Sequence, residues 1–146
     1  MRLNTRMRYG TRAMLELALR HEQGALSLNE IAAAQSLSGK YLEALFATLR
    51  SAGLVRSLRG SQGGYVLTRP PSQITLRQIF EVFEGAEPLA PCVLGHNACS
   101  RREGCVTQGV WARMYEASMQ VLESTTLADL VLRTREQSAA DLMYYI

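Results

Sequence analysis

Residues 38–67 decide the fold, and they read SGKYLEALFATLRSAGLVRSLRGSQGGYVL. Ser38 suits the position that caps a helix N-terminus. Four apolar side chains then recur at helical spacing: Leu42, Leu45, Phe46 and Leu49. Gly53 is placed to end this helix, and the pattern changes to short strands at 54–58 and 65–68 around a glycine-rich turn. The stretch therefore predicts a helix followed by a two-stranded hairpin.

Further helices are predicted on both sides of this stretch. The first spans residues 6–21, and the second begins at a capping box formed by Ser27 and Glu30. Another helix covers residues 75–84 after the hairpin. Helix, short helix, turn, helix and hairpin is the order of a winged helix-turn-helix, in which the third helix enters the DNA major groove and the hairpin is the wing. The fold class predicted is mainly α with a small β-hairpin wing.

The back half of the chain predicts one long helix over 107–123 and a last helix. Apolar residues cover more than half of the long helix, which is wider than a core-facing stripe requires. We interpret it as a dimerisation helix, and the alternative is a buried central helix of a monomer. Thr126 and Asp129 open the last helix, expected to end near residue 136 with the final ten residues loose.

This pattern divides the chain into three parts. Residues 1–84 form the predicted DNA-binding domain, residues 85–106 a cysteine-containing loop, and residues 107–146 the dimerisation helix and the C-terminal helix. Residues 1–69 hold ten Lys/Arg and four Asp/Glu, whereas residues 70–146 hold six Arg and nine Asp/Glu. A basic front half and an acidic back half favour a polyanion as the partner of the front half, although random scatter of surface charge is the alternative.

Composition places the chain among ordinary globular proteins. It has 146 residues, of which 47% are hydrophobic and 20% charged. No apolar run approaches the roughly 18 residues needed to span a bilayer. Because Arg12 and Glu16 interrupt the N-terminal apolar residues, we expect no signal peptide, no membrane partner and a cytoplasmic location. The only histidines, His21 and His96, have no recognisable catalytic partners, so we expect no enzyme activity.

The three cysteines of the chain lie close together at Cys92, Cys99 and Cys105. Three is a poor number for a disulfide framework, which suggests reduced thiols or thiolate ligands. A loop of this composition can fold around a soft metal centre, and thiolates are the usual ligands of iron–sulfur clusters. The alternatives are a structural zinc site and a cluster-free redox switch in which exposed thiols oxidise.

The combination of motifs resembles the IscR-like iron–sulfur cluster regulators of bacteria, which are winged-helix transcription factors. The similar segments are the opening Met1-Arg2-Leu3, residues 41–46 and 49–50, Gly53-Leu54-Val55, Arg59-Gly60, Gly63-Gly64-Tyr65, the cysteine loop and residues 126–130. The resemblance covers essentially the whole chain. It implies a homodimer that binds a palindromic operator in double-stranded DNA and uses an iron–sulfur cluster as its sensor, with [2Fe–2S] favoured over [4Fe–4S].

Candidate DNA-binding residues follow from the helix and the wing. If the apolar stripe faces inward, then Lys40, Glu43, Ala44 and Ala47 face outward. Glu43 can accept from a cytosine amino group, and the resemblance likewise assigns it to specificity. Arg59 precedes a glycine-rich tip and suits the narrow minor groove, as the matching arginine does in similar proteins. Candidate phosphate contacts are Arg2, Arg6, Arg8, Arg50 and Arg56, together with Ser38 and Tyr41, for which capping or packing is the alternative.

The fourth ligand of the expected cluster is open. Relatives use a histidine at the place of Gln108, or an acidic residue of the partner chain at the place of Arg8, and neither of these two side chains suits iron. The spacing between Cys92 and Cys99 is also one residue longer than in the close regulators. The candidates are His96, Glu103, a residue of the other subunit, or a small thiol or water. With His96 the set would be Cys3His, which is also a zinc set.

Overall fold

The computed structural model describes residues 3–85, 90–94 and 99–145. The helices in this part of the chain are α1 (Thr5–Leu19), α2 (Leu28–Gln35), α3 (Gly39–Ser51), α4 (Leu76–Glu84), α5 (Pro91–Leu94), α6 (Gln108–Ser124) and α7 (Leu127–Tyr144). The strands are β1 (Val55–Leu58) and β2 (Gly64–Leu67), and short 3-10 turns lie at His21–Gln23 and Pro71–Gln73. None of these helices is both long and apolar enough to cross a membrane.

Side-chain caps start the helices where the sequence predicts them. Ser27 and Thr75 each form a capping box with the residue three positions later, and Ser38 accepts from a backbone N–H in the first turn of α3. The order helix, short helix, helix and hairpin is present, so the prediction of a mainly α fold with a hairpin wing is confirmed.

Helix α1 lies at the centre of the core. It packs against α2, α3, β2, α4 and α7. The largest fully buried side chains come from these elements and their connections and include Phe46, Met14, Ile31, Leu42 and Ile79. Helices α1 and α4 approach closely at Gly10, where a Cβ atom would overlap the ring of Phe83 on α4. A hydrogen at this position is what lets α1 and α4 come together.

The hairpin is held against the helices at its inner end. Strands β1 and β2 pair antiparallel, with Val55 opposite Leu67 and Leu58 opposite Gly64. Tyr65 exchanges backbone hydrogen bonds with Leu26, with N–O distances of 3.0 and 2.8 Å. Gly64 has a φ of +153°, and a Cβ on it would lie 2.5 Å from the Leu26 carbonyl oxygen. A two-stranded hairpin alone is only marginally stable, and the bridge between Leu26 and Tyr65 gives this one a third, strand-like neighbour.

The start of α4 and the start of α7 are joined by a short antiparallel bridge between Thr75 and Thr126. The Leu76 N–H donates to the Thr125 carbonyl at 2.8 Å, and the Leu127 N–H donates to the Ile74 carbonyl at 2.9 Å. Beyond the bridge α4 packs against α6, and α7 packs against α1. The back half is thus built onto the predicted DNA-binding domain; the three-part division of the chain stays a prediction.

Two expectations about the back half were wrong. The last helix continues to Tyr144 and does not end near residue 136. Residues 137–143 contain neither glycine nor proline and include good helix formers, so nothing in them stops the helix. The segment expected to be a loop also contains the single turn α5, which carries Cys92. The long helix itself spans Gln108–Ser124, one residue later than predicted at each end.

We expect Gly10→Ala to destabilise the fold by about 1–3 kcal/mol, because the added methyl group overpacks the contact with Phe83. The measurement is the free energy of unfolding from urea titration of the purified protein.

Gly39→Ala is the matched control, since it adds the same methyl group in α3, where a Cβ meets nothing within 4 Å. Its effect should range from neutral to about 1 kcal/mol of stabilisation through helix propensity. Equal unfolding free energies for the two variants would contradict the packing at Gly10.

Candidate DNA-binding surface and cysteine loop

The outward face of α3 is exposed as predicted. The four apolar residues of the helix are buried, with exposed fractions of 0–1%: Leu42, Leu45, Phe46 and Leu49. Opposite them, Lys40, Glu43, Ala44 and Ala47 are exposed. Ser38 caps the N-terminus of α3, so this face begins at a well-defined turn. These side chains are free to meet base edges.

The wing presents its arginines beside α3. Val55 and Leu67 anchor the hairpin in the core. The ring centroid of Tyr65 lies 4.6 Å from the ring centroid of Phe46 on α3. Arg59, at the start of the turn, is exposed. Because the base of the hairpin packs on the helix, Arg59 and the outward face of α3 belong to one rigid body.

Ser38 and Tyr41 make the contacts that were the alternatives to phosphate binding. Ser38 Oγ accepts from the Tyr41 backbone N–H at 3.2 Å. The Tyr41 ring packs edge-on against Tyr9, with 6.0 Å between the ring centroids. Capping and packing are therefore observed, and a phosphate contact by either residue stays a prediction.

The remaining arginines differ in their surroundings. Arg8, Arg50 and Arg56 are exposed, whereas Arg2 lies outside the described residues. Arg6 donates to Thr48 Oγ1 at 3.3 Å and lies 5.7 Å from the centroid of the Phe83 ring. Arg6 therefore links α1 to α3 and α4, a role in packing that the sequence did not suggest.

The cysteine segment is tied together at its two ends. Gln108 Nε2 donates to the Cys92 carbonyl at 3.4 Å, and the Gln108 backbone N–H donates to the Cys105 carbonyl at 3.3 Å. Gln108 therefore connects the two ends of the segment through its side chain and its main chain. Cys92 and Cys105 are half-buried and Cys99 is exposed, and all three thiols are free. His96 lies outside the described residues, and Glu103 is exposed.

Cys105 lies just before the N-terminus of α6. The Thr107 hydroxyl, 3.3 Å from the sulfur, lowers the pKa of the Cys105 thiol, and the backbone N–H groups of Gln108 and Thr107 lower it further. Hydrogen bonds to the charged form favour it. Cys105 is thus predisposed to the thiolate state, which is the state that binds metals and reacts with oxidants.

The donor set fits an iron–sulfur centre in its chemistry. Within residues 3–85, 90–94 and 99–145, no three His, Cys, Asp or Glu side chains are grouped closely enough to hold a metal ion. The three thiols are nevertheless the ligand type that such a cluster takes. Arg102, between Cys99 and Cys105, has a buried Nη1 atom with no hydrogen-bond partner in the described part of the chain. A buried guanidinium without a hydrogen-bond acceptor would gain a partner if the loop bound an anionic group such as a cluster.

Sequence reasoning missed Arg102 and Thr107. The pair Arg101-Arg102 between two cysteines was visible, but which arginine is buried depends on the fold of the loop. Arg8, which the sequence resemblance linked to the fourth ligand, is exposed on α1. The metal-ligating role of the three cysteines stays a prediction, as does the fourth ligand.

Comparison with known proteins gives consistent matches along most of the chain. Residues 3–133 match the family model Rrf2, described as an iron-dependent transcriptional regulator. The HTH-type transcriptional regulator CymR of Bacillus subtilis is 43% identical over 145 residues, which cover 99% of this chain and 99% of CymR.

Solved structures agree with this match. The structure of CymR, the global cysteine regulator of B. subtilis, superimposes with a TM-score of 0.79 and 41% identity, covering 91% of this chain and 98% of CymR. IscR of T. potens superimposes with a TM-score of 0.78 and 39% identity, covering 94% of this chain and 90% of IscR. These relatives are regulators with a DNA-binding fold, which confirms the expectation that the chain is not an enzyme.

Proposed function

Because this chain belongs to the Rrf2 family of transcriptional regulators, we propose that it acts as a homodimer on a palindromic operator in double-stranded DNA. We propose further that Cys92, Cys99 and Cys105 hold an iron–sulfur cluster whose presence changes DNA binding. The observation that carries the DNA-binding part is the rigid pairing of α3 with the wing, which exposes Glu43 and Arg59 together.

In this proposal α3 enters the major groove. Glu43 accepts from a cytosine amino group, Ala44 contacts a thymine methyl group, and Lys40 reaches a base or a phosphate. Arg59 enters the adjacent minor groove, where the negative potential attracts arginine. Arg8, Arg50 and Arg56, which are exposed, bind phosphates in this docking. Arg2, which lies outside the described residues, is a further phosphate contact that we propose. The excess of basic residues in the front half favours this binding.

The dimer interface we propose is the outer side of α6. Met119 is buried against the core, whereas three large apolar residues are exposed on the opposite side: Val110 (55%), Met114 (42%) and Val121 (63%). Trp111, which is 41% exposed, lies at the edge between the two sides. Positions 110, 114, 117 and 121 follow the spacing of a helix–helix seam. A second copy of α6 would cover this ridge, and a two-fold dimer matches the symmetry of a palindromic site.

The cluster proposal rests on the donor chemistry. Three thiols, one of them predisposed to ionise, and a buried positive group lie on one segment. When bound, a cluster supplies redox chemistry and reactivity toward oxidants. The type we propose is [2Fe–2S]. The structure of T. potens IscR superimposes on 94% of this chain, and IscR-like regulators are the group that the sequence resembles. This likeness supports the proposed cluster.

A thiol switch is the second candidate. The lowered pKa of Cys105 and the exposure of Cys99 favour reaction with oxidants without any metal. The family also includes the global cysteine regulator CymR, so membership alone does not choose between the two sensors. A structural zinc ion held by the same thiols would itself undergo no redox change.

We expect Arg59→Ala to weaken operator binding by about 1–3 kcal/mol, and Glu43→Ala to relax the base preference while affinity changes little. The minor-groove arginine contributes binding energy, whereas the glutamate discriminates between bases. Fluorescence anisotropy with the operator and with single-base variants measures both effects at a fixed salt concentration.

Arg135→Ala is the control for Arg59, because it removes the same charge from the exposed surface of α7. Its affinity should equal that of the wild type. Unchanged affinity for Arg59→Ala together with unchanged selectivity for Glu43→Ala would contradict this docking.

We expect Val121→Glu to convert the dimer to a monomer and to reduce operator affinity at least tenfold, since a charge would be buried in the ridge. Light scattering after size-exclusion chromatography measures the mass. Gln120→Glu adds the same charge one residue away, off the ridge, and should stay dimeric. A dimeric Val121→Glu protein would place the interface elsewhere.

Anaerobic purification or reconstitution with ferrous iron and sulfide should give a coloured protein with visible charge-transfer absorbance. Cys92→Ser, Cys99→Ser and Cys105→Ser should each lose most of the bound iron, because only three cysteines are available. A colourless protein that contains zinc supports the zinc site. A colourless, metal-free protein whose operator affinity changes with peroxide supports the thiol switch.

A further inference from the structure

Arg102 occupies a defined place between two of the cysteines. Its backbone N–H donates to the Cys99 carbonyl at 3.3 Å, and its carbonyl accepts from the Cys105 N–H at 3.3 Å. Both thiol-bearing residues are thus fixed to Arg102 through the main chain. The neighbouring Arg101 is exposed, whereas Arg102 is half-buried.

The guanidinium of Arg102 has an unmet hydrogen-bonding requirement. Its Nη1 atom is buried, and no acceptor for it exists among the residues that the structure describes. Arginine stays protonated at all relevant pH values, so the buried Nη1 group keeps its charge and its need for a hydrogen-bond acceptor. A buried charged donor without a partner is unfavourable, and the same donor becomes favourable once an anion arrives.

The negative charge nearest to Arg102 along the chain would be on the cysteine sulfurs. Cysteine ligands bind as thiolates, and thiolates with bridging sulfides give a cluster a net negative charge. The adjacent carboxylate, Glu103, is exposed and forms no ion pair with Arg102 in the described part of the chain. The main-chain hydrogen bonds keep the backbone of Arg102 next to the backbones of Cys99 and Cys105, the two residues that carry the nearest thiols along the chain.

We propose that Arg102 is the positive counter-charge of the anionic cluster held by Cys92, Cys99 and Cys105, an inference that rests on the cluster proposed above. Reduction adds one negative charge to a cluster. Arg102 therefore stabilises the reduced form more than the oxidised form, and it raises the reduction potential. It also slows the loss of the cluster from the loop. Arg102 is a positioning and electrostatic residue, since it is not a ligand.

The test compares anaerobically reconstituted wild type with Arg102→Gln, Arg102→Lys and Arg101→Gln. We expect Arg102→Gln to shift the equilibrium between reduced and oxidised cluster about tenfold toward the oxidised form, which lowers the potential by about 59 mV. Loss of iron to a chelator should be several-fold faster. Arg102→Lys should stay close to the wild type because it keeps the charge.

Arg101→Gln is the matched control, because it removes the same charge from the exposed neighbouring position. It should keep the wild-type potential and the wild-type rate of iron loss. Spectroelectrochemistry gives the potentials, and thermal unfolding of the metal-free proteins reports on structural effects. All four metal-free proteins should unfold at similar temperatures. If Arg102→Gln does not fold, Arg102→Met removes the charge while keeping an apolar stem.

The outcomes separate this inference from the cluster proposal. If the wild type takes up no iron and sulfide, both are overturned. If it takes them up, and Arg102→Gln keeps the wild-type potential and rate of iron loss, only the role of Arg102 is overturned. Equal shifts for Arg101→Gln and Arg102→Gln would reveal a general effect of net charge and would likewise exclude a specific role.

Discussion

The bridge between Thr75 and Thr126 is the constraint on which the arrangement of the two halves depends. Each threonine caps a helix through a capping box, and each is also paired with the other through the main chain. The bridge gives hydrogen-bond partners to four backbone groups: the N–H groups of Leu76 and Leu127 and the carbonyls of Thr125 and Ile74. The N–H groups at a helix start otherwise lack partners within the helix. The direction of α4, which follows the wing, and the direction of α7, which follows the long helix, are therefore set at one point.

The two halves that meet at this bridge differ in how completely they bury their apolar side chains. The front half is a packed core in which α1 contacts α2, α3, β2 and α4, and Gly10 allows the close approach of α1 to α4. The back half buries only part of its apolar surface, because α6 has one side on the core and one side in solvent. Both properties suit the proposed function, because the proposed DNA-reading surface is rigid, whereas the proposed dimer surface would be completed only by a second copy.

The sequence predicts those features that depend on neighbours along the chain. The capping boxes at Ser27, Thr75 and Thr126 and the apolar stripe of α3 are local patterns, and the structure has them where predicted. Features that join distant residues were not predictable. The contact of Gly10 with Phe83 depends on how α1 crosses α4, and the burial of Arg102 depends on the path of the cysteine segment. The length of α7 was missed because a helix without stop residues has no local mark for its end.

Both ends of the cysteine segment belong to the same folded body, since α4, which precedes it, packs against α6, which follows it. Most of the entropy of bringing the ends of this segment together is therefore lost when the protein folds, before any ligand arrives. A zinc finger, by contrast, folds only when its metal binds. In the proposed sensor, a ligand would enter and leave while the rest of the molecule keeps its structure, and its occupancy would be a reversible variable that a cell sets without unfolding the protein.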